Sequence, residues 1–522
     1  VSASTKPAGG ALPMQLGGYT ALAESEWMGA AQASDVLEPL RLPGLRRRLT
    51  ARLPRPRLAG LLTHEFSIAE ATIILMASFF FSALLGAVRQ VIFNVQFGAG
   101  LEANAYYAAF RLPDTLFSLI AGGALSSAMI PVLLGTARED GESGDWRLTS
   151  LVLTTLLAVF ALVVAVGELF TPFFVSTILA PGFDAETSRL TVTLTRIMLV
   201  QPLILAAGSV ATAVLNSRNQ FLLTALSVAS HNIALIAGIA AARAYPGLGI
   251  YGPTFGVVGG AVLQALILLP GLRGGAGHVR LLWDWRDSRL REVIRLLIPN
   301  GLAVGVAYAG FILDTAFASK APELAGLPAL HNAWLLVGLP IALLGQAAGQ
   351  SAFPRLAAHA AARDWSRLGR TLLVTLGAVC ALAVPAALGL ALLGRPTIRI
   401  LFEHGKYDAD AGALTYRVLV AYAVALPAYV ATEVITRGLI ALRDTRTPLV
   451  TNSLQLAGRA AFIAALLGSM GVRAIPLAFA VMASVETVAL GMILLWKLRR
   501  GPHPQPPLPY HGRGGASVAS GG

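Results

Sequence analysis

Residues 97–114 read FGAGLEANAYYAAFRLPD and set Arg111, Pro113 and Asp114 inside a stretch otherwise suited to lipid. A guanidinium is always charged and binds phosphate or carboxylate oxygens through a bidentate fork, so its chemistry is anion capture. Charges inside a membrane are expensive and face partners or cavities. Two readings of this stretch stand. Arg111 and Asp114, three apart on one helix face, neutralise each other; or Arg111 serves a polar cavity, with Pro113 kinking the helix around it. Glu433 and Arg437 are four apart and read as a pair on one helix face. His331 and Asn332 open an apolar run and read as interfacial, while Glu168, Arg196 and Glu486 lie in or near the ends of such runs with no assigned role. Cys380 is the single cysteine, and no His/Cys/carboxylate spacing fits zinc. A phosphate loop ending in Lys-Ser/Thr and a nucleophile elbow are both absent from the sequence. GVVGG at 256–260 reads as close helix packing. The sequence implies no enzyme and no cofactor, and any transport would draw on membrane potential, an ion gradient or a partner.

The elements that must position these residues follow from composition. The chain is 55% apolar and 13% charged, with a mean hydropathy of +0.68, where soluble domains carry about 25% charged residues. Apolar runs near 20 residues read as membrane helices. About twelve recur: 68–93, 105–135, 149–178, 190–215, 221–243, 250–272, 292–318, 330–356, 371–394, 414–442, 448–469 and 473–496. In hydrocarbon such runs satisfy their backbone as helices, which predicts an all-α polytopic membrane protein.

The net charge of +13 is distributed by side. Arg138, Arg147, Arg218, Arg280, Arg286, Arg289, Arg291, Arg355, Arg363, Arg367, Arg370, Arg443 and Arg446 fall in alternate links, with Lys497, Arg499 and Arg500 behind the last run. The opposite links hold only scattered cations, among them Lys320, Arg395, Arg399 and Lys406. That asymmetry places both termini in the cytoplasm. The basic balance is therefore topological, and nucleic acid is not an expected partner. The longest hydrophilic link, 273–291, divides the helices six and six. The expected organisation is a basic, disordered extension over 1–64 without a secretory signal, a lobe over 65–272, the link, a lobe over 292–498 and a disordered tail over 499–522. Two equal bundles around a central cavity are the pattern of a repeat-built transporter with its site at the midplane.

Several stretches then resemble one family. LLGAVRQVIFNVQFGAGLEANAYYAAFRLPD (84–114), APGFD (180–184), AVLNSRNQF (213–221), GIYGPTFGVVGGAVLQ (249–264), LFEHGKYDADAGALTYRVLVAYAVALPAYV (401–430) and ALRDTRTP (441–448) are similar, in order, to the MurJ/MviN lipid II flippases of the multidrug/oligosaccharidyl-lipid/polysaccharide exporter superfamily. The resemblance implies a bacterial cytoplasmic-membrane flippase working by alternating access. Its cargo would be an undecaprenyl-pyrophosphate glycolipid, with membrane lipids and cell-wall synthases as further partners. Family members usually have fourteen spans, whereas this chain reads as twelve.

The resemblance puts Arg89 and Arg111 in a cationic cavity that receives pyrophosphate, together with Asn104 and Asp114; for Arg89 the plainer alternative is snorkelling to the interface. It aligns Asp314 with a sodium-site carboxylate of some relatives, and Arg459 with the Asn expected beside it. Arg459 either takes the cation's place or is unrelated to Asp314. The sequence departs from the family at Ala83, Asn104 and Ser118, where relatives carry charges, and at Trp334, Leu335 and Gly338, which stand where relatives have an Asp-Arg-x-x-Glu cluster. These losses keep open an exporter of another polyprenyl-linked glycan or amphiphile, or a non-transporting scaffold of cell-wall synthesis.

Overall fold

The computed structural model describes residues 68–120, 124–272 and 279–500. The expectations for 1–64, for 273–278 of the link and for the tail from 501 lie outside the described residues. Within them the chain is helical and has no strand: α1 (Ile68–Phe97), α2 (Leu101–Ile120), α3 (Ala124–Phe173), α4 (Ala185–Met198), α5 (Val200–Ser217), α6 (Phe221–Ala244), α7 (Tyr251–Leu272), α8 (Ser288–Ser319), α9 (Gly326–Pro340), α10 (Ala347–Ala361), α11 (Trp365–Leu401), α12 (Ala409–Ala441), α13 (Arg446–Met470) and α14 (Ala474–Arg500).

Among the described residues, nine segments are long and apolar enough to cross a membrane by length and composition, against the twelve expected. The difference has physical reasons. Residues 446–499 count as one segment although Gly471 turns the chain between α13 and α14. The run expected over 105–135 is divided between α2 and α3, and Arg111 and Asp114 lower its hydropathy. α3 carries a non-helical glycine, Gly141 (φ 67°), so it too is two rods joined at a kink. Pro113 is accommodated inside α2, which continues to Ile120. π-helical turns follow Pro172 at Phe174–Leu179 and Pro340 at Ile341–Gln346; proline removes one N–H and crowds the preceding turn, and an extra residue relieves it.

The chain order maps onto two groups of packed helices. α6 and α7 pack closely, with α1 against α6, α3 and α7 against α5, and α2 against α4. GVVGG does the packing expected of it, with Gly256 against the α6 backbone and Gly260 against the His231 ring. In the other group α12 packs on α9, α10, α11 and α14, and α13 on α14. α8 lies between the groups. Its start is four residues earlier than the apolar run suggests, because the Asp287 side chain caps it by accepting from Arg289 N and Leu290 N at 3.0 and 3.2 Å. Leu290 and Val293 then bury against Leu125, Met129, Leu148 and Leu151 of α3.

The arginine-rich end ties the link to the first group. Arg289 bridges Glu139 and Asp140 at 3.0 and 2.5 Å, Arg147 reaches Asp284 at 3.0 Å, and Arg218 holds Asp145 at 3.0 Å. At the arginine-poor end the two groups interlock by backbone. Lys406 N donates to Val95 O at 2.9 Å. Gly98 (φ +67°) and Gly405 (φ +62°) sit on either side of this contact, and a Cβ on them would lie 2.5 Å from Lys406 O and 2.3 Å from Val95 O. Phe93, Phe97, Tyr106 and Tyr107 bury into the same core as Leu327, Leu330, Phe402 and Tyr407. Below that core α1 leaves Phe80, Phe81, Leu84 and Val88 exposed. The two groups are thus sealed at one end.

Gly98→Ala puts a methyl where Lys406 O stands, in a left-handed conformation that costs an L-residue about 1–2 kcal/mol. The expected result is a looser seal. In a Cys380→Ser background, a cysteine replacing the fully buried Asn94 should react with a water-soluble maleimide about tenfold faster when Gly98→Ala is added, since about 1.4 kcal/mol is tenfold in population. Unchanged labelling would show that the glycine contact does not hold the seal.

Candidate functional site

Arg89 projects from the last third of α1, half-buried, and its Nη1 donates to Asn232 Oδ1 on α6 at 3.0 Å. Asn232 is itself held by Ser82, through its Nδ2 donating to Ser82 Oγ at 3.1 Å. The guanidinium is therefore aimed by an amide, and among the described residues Arg89 has no carboxylate within 4.0 Å. Arg111 does not pair with Asp114. Its Nε donates to Thr315 Oγ1 of α8 at 3.2 Å and its Cζ lies 5.0 Å from the centre of the Phe311 ring, a cation–π contact. The expected neutralisation within α2 is replaced by a reach across to α8. Arg89 and Arg111 are both within electrostatic reach of His331, whose ring stacks on Tyr107 at 4.5 Å. The two cations expected to share a site thus flank one histidine between the groups.

Asn104 is buried, and its Nδ2 donates to Gly100 O at 2.9 Å and to Leu324 O in the turn before α9. Its amide hydrogens are committed to carbonyls, and the bond to Leu324 O ties the two groups together. Asp114 is half-buried on α2. Ser118, where relatives have an Arg, is buried with its hydroxyl unpartnered, and Ala83 is exposed on α1.

Asp314 and Arg459 are brought together. They form a buried ion pair between α8 and α13, Arg459 Nη2 on Asp314 Oδ2, with the guanidinium also 5.1 Å from the Phe479 ring centre. A sodium ion at this carboxylate would stand within about 4 Å of a fixed guanidinium, a repulsion of roughly 4 kcal/mol at an effective dielectric of about 20. The residues present do not fit sodium. Glu433 and Arg437 form the expected pair on α12 at 3.9 Å.

Two features went unread in the sequence. Gln90 Nε2 of α1 lies within hydrogen-bonding distance of Asn94 Oδ1 (3.0 Å), Tyr107 OH (2.6 Å) and Asn332 Oδ1 (2.8 Å), three acceptors for its two hydrogens, in a buried amide network across the two groups. His331 and Asn332, expected at an interface with solvent, belong to this contact instead. Trp334 meets Phe311, Tyr422 and Phe479 edge to face, at ring distances of 6.4, 5.2 and 5.9 Å. This aromatic cluster stands where relatives have charges. The sequence carries no signal for it beyond the aromatic residue types themselves.

Two helix groups joined through a middle helix, interlocked at one end and carrying half-buried arginines, give the chain the fold of a polytopic membrane transporter. Solved structures agree on the fold: "Lipid II flippase MurJ, inward closed conformation" (TM-score 0.70, 22% identity, 81% of this chain and 87% of that one), and an inward-facing MATE-family multidrug transporter of the MOP superfamily (TM-score 0.71, 13% identity, 82% and 98%). The model of the family "Lipid II flippase MurJ" matches residues 93–505. A Burkholderia cenocepacia protein named "Lipid II flippase MurJ" is 30% identical over 378 residues, covering 70% of this chain and 72% of the relative. The chain belongs to the lipid II flippase MurJ family.

Asp314→Asn should leave the Arg459 charge buried without its counter-ion and lower stability by about 3–5 kcal/mol, whereas Asp314→Leu with Arg459→Leu removes both charges and should lie near the parent. Thermal unfolding in detergent compares them. A double variant as unstable as the single one would remove the pairing argument.

Proposed function

We propose that this chain flips a lipid-linked peptidoglycan precursor, an undecaprenyl-pyrophosphate glycolipid, across the bacterial cytoplasmic membrane. Both termini are cytoplasmic, and the lobes over 65–272 and 292–498, six spans each, rock about a central cavity. The observation that carries the reading is Arg89: a half-buried guanidinium set by Asn232 rather than neutralised by an acid. With Arg111 also within electrostatic reach of His331, it leaves positive charge for a pyrophosphate arriving from the arginine-rich end. That end is cytoplasmic by charge asymmetry, so a seal at the opposite end is the inward-facing stage, ready to load. Family membership supports the cargo class. The aromatic cluster around Trp334 favours a second reading of the headgroup, another polyprenyl-linked glycan whose sugar rings stack where relatives carry charges.

Vesicles containing the protein and a fluorescent polyprenyl-pyrophosphate precursor test this. Arg89→Ala and Arg111→Ala should each slow flipping about tenfold or more, the loss of a charge-assisted bond worth about 1.5–3 kcal/mol. The Lys variants should be intermediate because they keep charge and lose the fork, and the exposed Arg367→Ala should be unaffected. If both alanine variants flip at the parent rate, the arginines are structural and the scaffold reading replaces transport. Precursors with other headgroups in the same assay decide the cargo.

Sodium replacement tests the coupling. Since Arg459 neutralises Asp314, flipping should proceed equally in potassium or choline buffers. A rate that rises with sodium would show that the pair opens for the ion.

A further inference from the structure

The membrane-buried charges of the second helix group balance in pairs except in one place. Asp314 has Arg459, and Glu403 has Arg395. In the wedge where α12, α13 and α14 meet, two buried carboxylates, Glu433 and Glu486, are within electrostatic reach of each other, and among the described residues only Glu433 has a cation within 4.0 Å. Glu433 and Arg437 of α12 are 4% and 6% exposed and lie 3.9 Å apart; Glu486 of α14 is 8% exposed. Thr432 and Thr487, the neighbours of the two glutamates, share a hydrogen bond at 2.7 Å, which fixes Glu433 and Glu486 at one level of the α12–α14 contact. Glu486 is within electrostatic reach of Glu433.

Among the described residues the remaining walls offer no further cation. Gly345 and Gly349 pack against Glu433 and Arg437, and Leu372 of α11 packs beside them at Gly438. From α13 comes the Thr451 hydroxyl. Lys497 and Asp444, toward the arginine-rich end, are spent on each other at 2.6 Å. Two carboxylates and one guanidinium leave one unmatched negative charge in a low-dielectric site, and such a charge is expensive unless it is neutralised.

The hydrogen bonds point the same way. Thr451 Oγ1 lies 3.1 Å from Pro448 O and 3.2 Å from Glu486 Oε1, but a hydroxyl has one hydrogen. When it donates to the carbonyl, only a protonated Glu486 can complete the second contact. Arg437 also keeps its Nε buried without a hydrogen-bond partner, so the guanidinium is incompletely used by Glu433 and has capacity for a second acceptor.

We propose that Glu433 and Glu486 hold one proton between them beside Arg437, and that the site binds and releases this proton during the transport cycle, making the proton the coupling ion. The coupling half rests on the transport reading; the site itself does not. The chemistry is a carboxylate taking one proton to become a carboxylic acid, which brings the wedge to neutrality.

Infrared difference spectroscopy on the purified full chain reads the site without any cargo. The expected result is a carboxylic-acid carbonyl band at neutral pH that disappears on alkalinisation, is lost in Glu486→Gln and is lost or displaced in Glu433→Gln. Glutamine keeps the size of the acid and its neutrality, so both variants should fold. A band absent in the parent, or unchanged in both variants, overturns the site. In vesicles, parent flipping should change rate with an imposed pH gradient, and Glu486→Gln should lose that response. Flipping indifferent to the gradient overturns the coupling. The expected band without any flipping by the parent upholds the site and refutes the transport reading instead.

Discussion

A charge carried into hydrocarbon has to be matched where it stands, and that constraint shapes this molecule more than any other. Hydrophobic burial gives little drive between membrane helices, because the lipid is as apolar as their side chains. Specific polar contacts and close packing then decide which helices meet. Here α8 is joined to α13 by Asp314 and Arg459, and to α2 by Arg111 and Thr315. α1 is joined to α6 by Arg89 and Asn232. Each contact links helices far apart in the chain, and together they fix α8 between two groups that otherwise pack within themselves. Arg89 is the departure from the rule, a cation answered by an amide dipole. A site that must receive an anion needs that incompleteness.

The seal at the arginine-poor end obeys a related logic. It combines two glycine contacts, a shared aromatic core and the Gln90–Asn332 network. One donor in that network, Asn94 Nδ2, is buried without a partner among the described residues. Unmet donors of this kind cost about 1–3 kcal/mol each, which offsets part of the burial that holds the seal. An apolar interface of the same size would close more firmly. A transporter that has to open again is served by the weaker one, since a population is easily shifted only when the two states differ by a few kcal/mol.

The positions of most helices were legible because lipid imposes one simple code, a long apolar run. That code has no resolution within a run. It could not distinguish the kink at Gly141 or the π turn after Pro340 from regular helix, since both preserve composition. It also offered Asp114 as one partner for Arg111, because neighbours in sequence are the only partners a sequence displays. The actual partner of Arg111 is 204 positions away. Asp314 and Arg459, 145 apart, were connected only by family likeness. The Glu433–Arg437 pair was legible because its spacing lies within one helix. Glu486 was visible as an isolated acid and gained meaning only when folding set it beside that pair.

The lost family charges can now be understood as a consistent set of replacements. In the second half of α9, where the family resemblance implies an acid–base cluster, this chain has Trp334, Leu335 and Gly338. Trp334 draws Phe311, Tyr422 and Phe479 into contact. Two arginines in the middle of the molecule lie over aromatic faces, Arg111 on Phe311 and Arg459 on Phe479. A ring face attracts a cation without cancelling its charge as a carboxylate would. Arg459 has Asp314 as well and is neutral as a pair. Arg111 has a ring and a hydroxyl in direct contact and Asp114 within electrostatic reach on its own helix, with no carboxylate within 4.0 Å among the described residues. A cation held by a ring face or an amide keeps more of its field than one held by a carboxylate, and Arg89 and Arg111 are both held in that way.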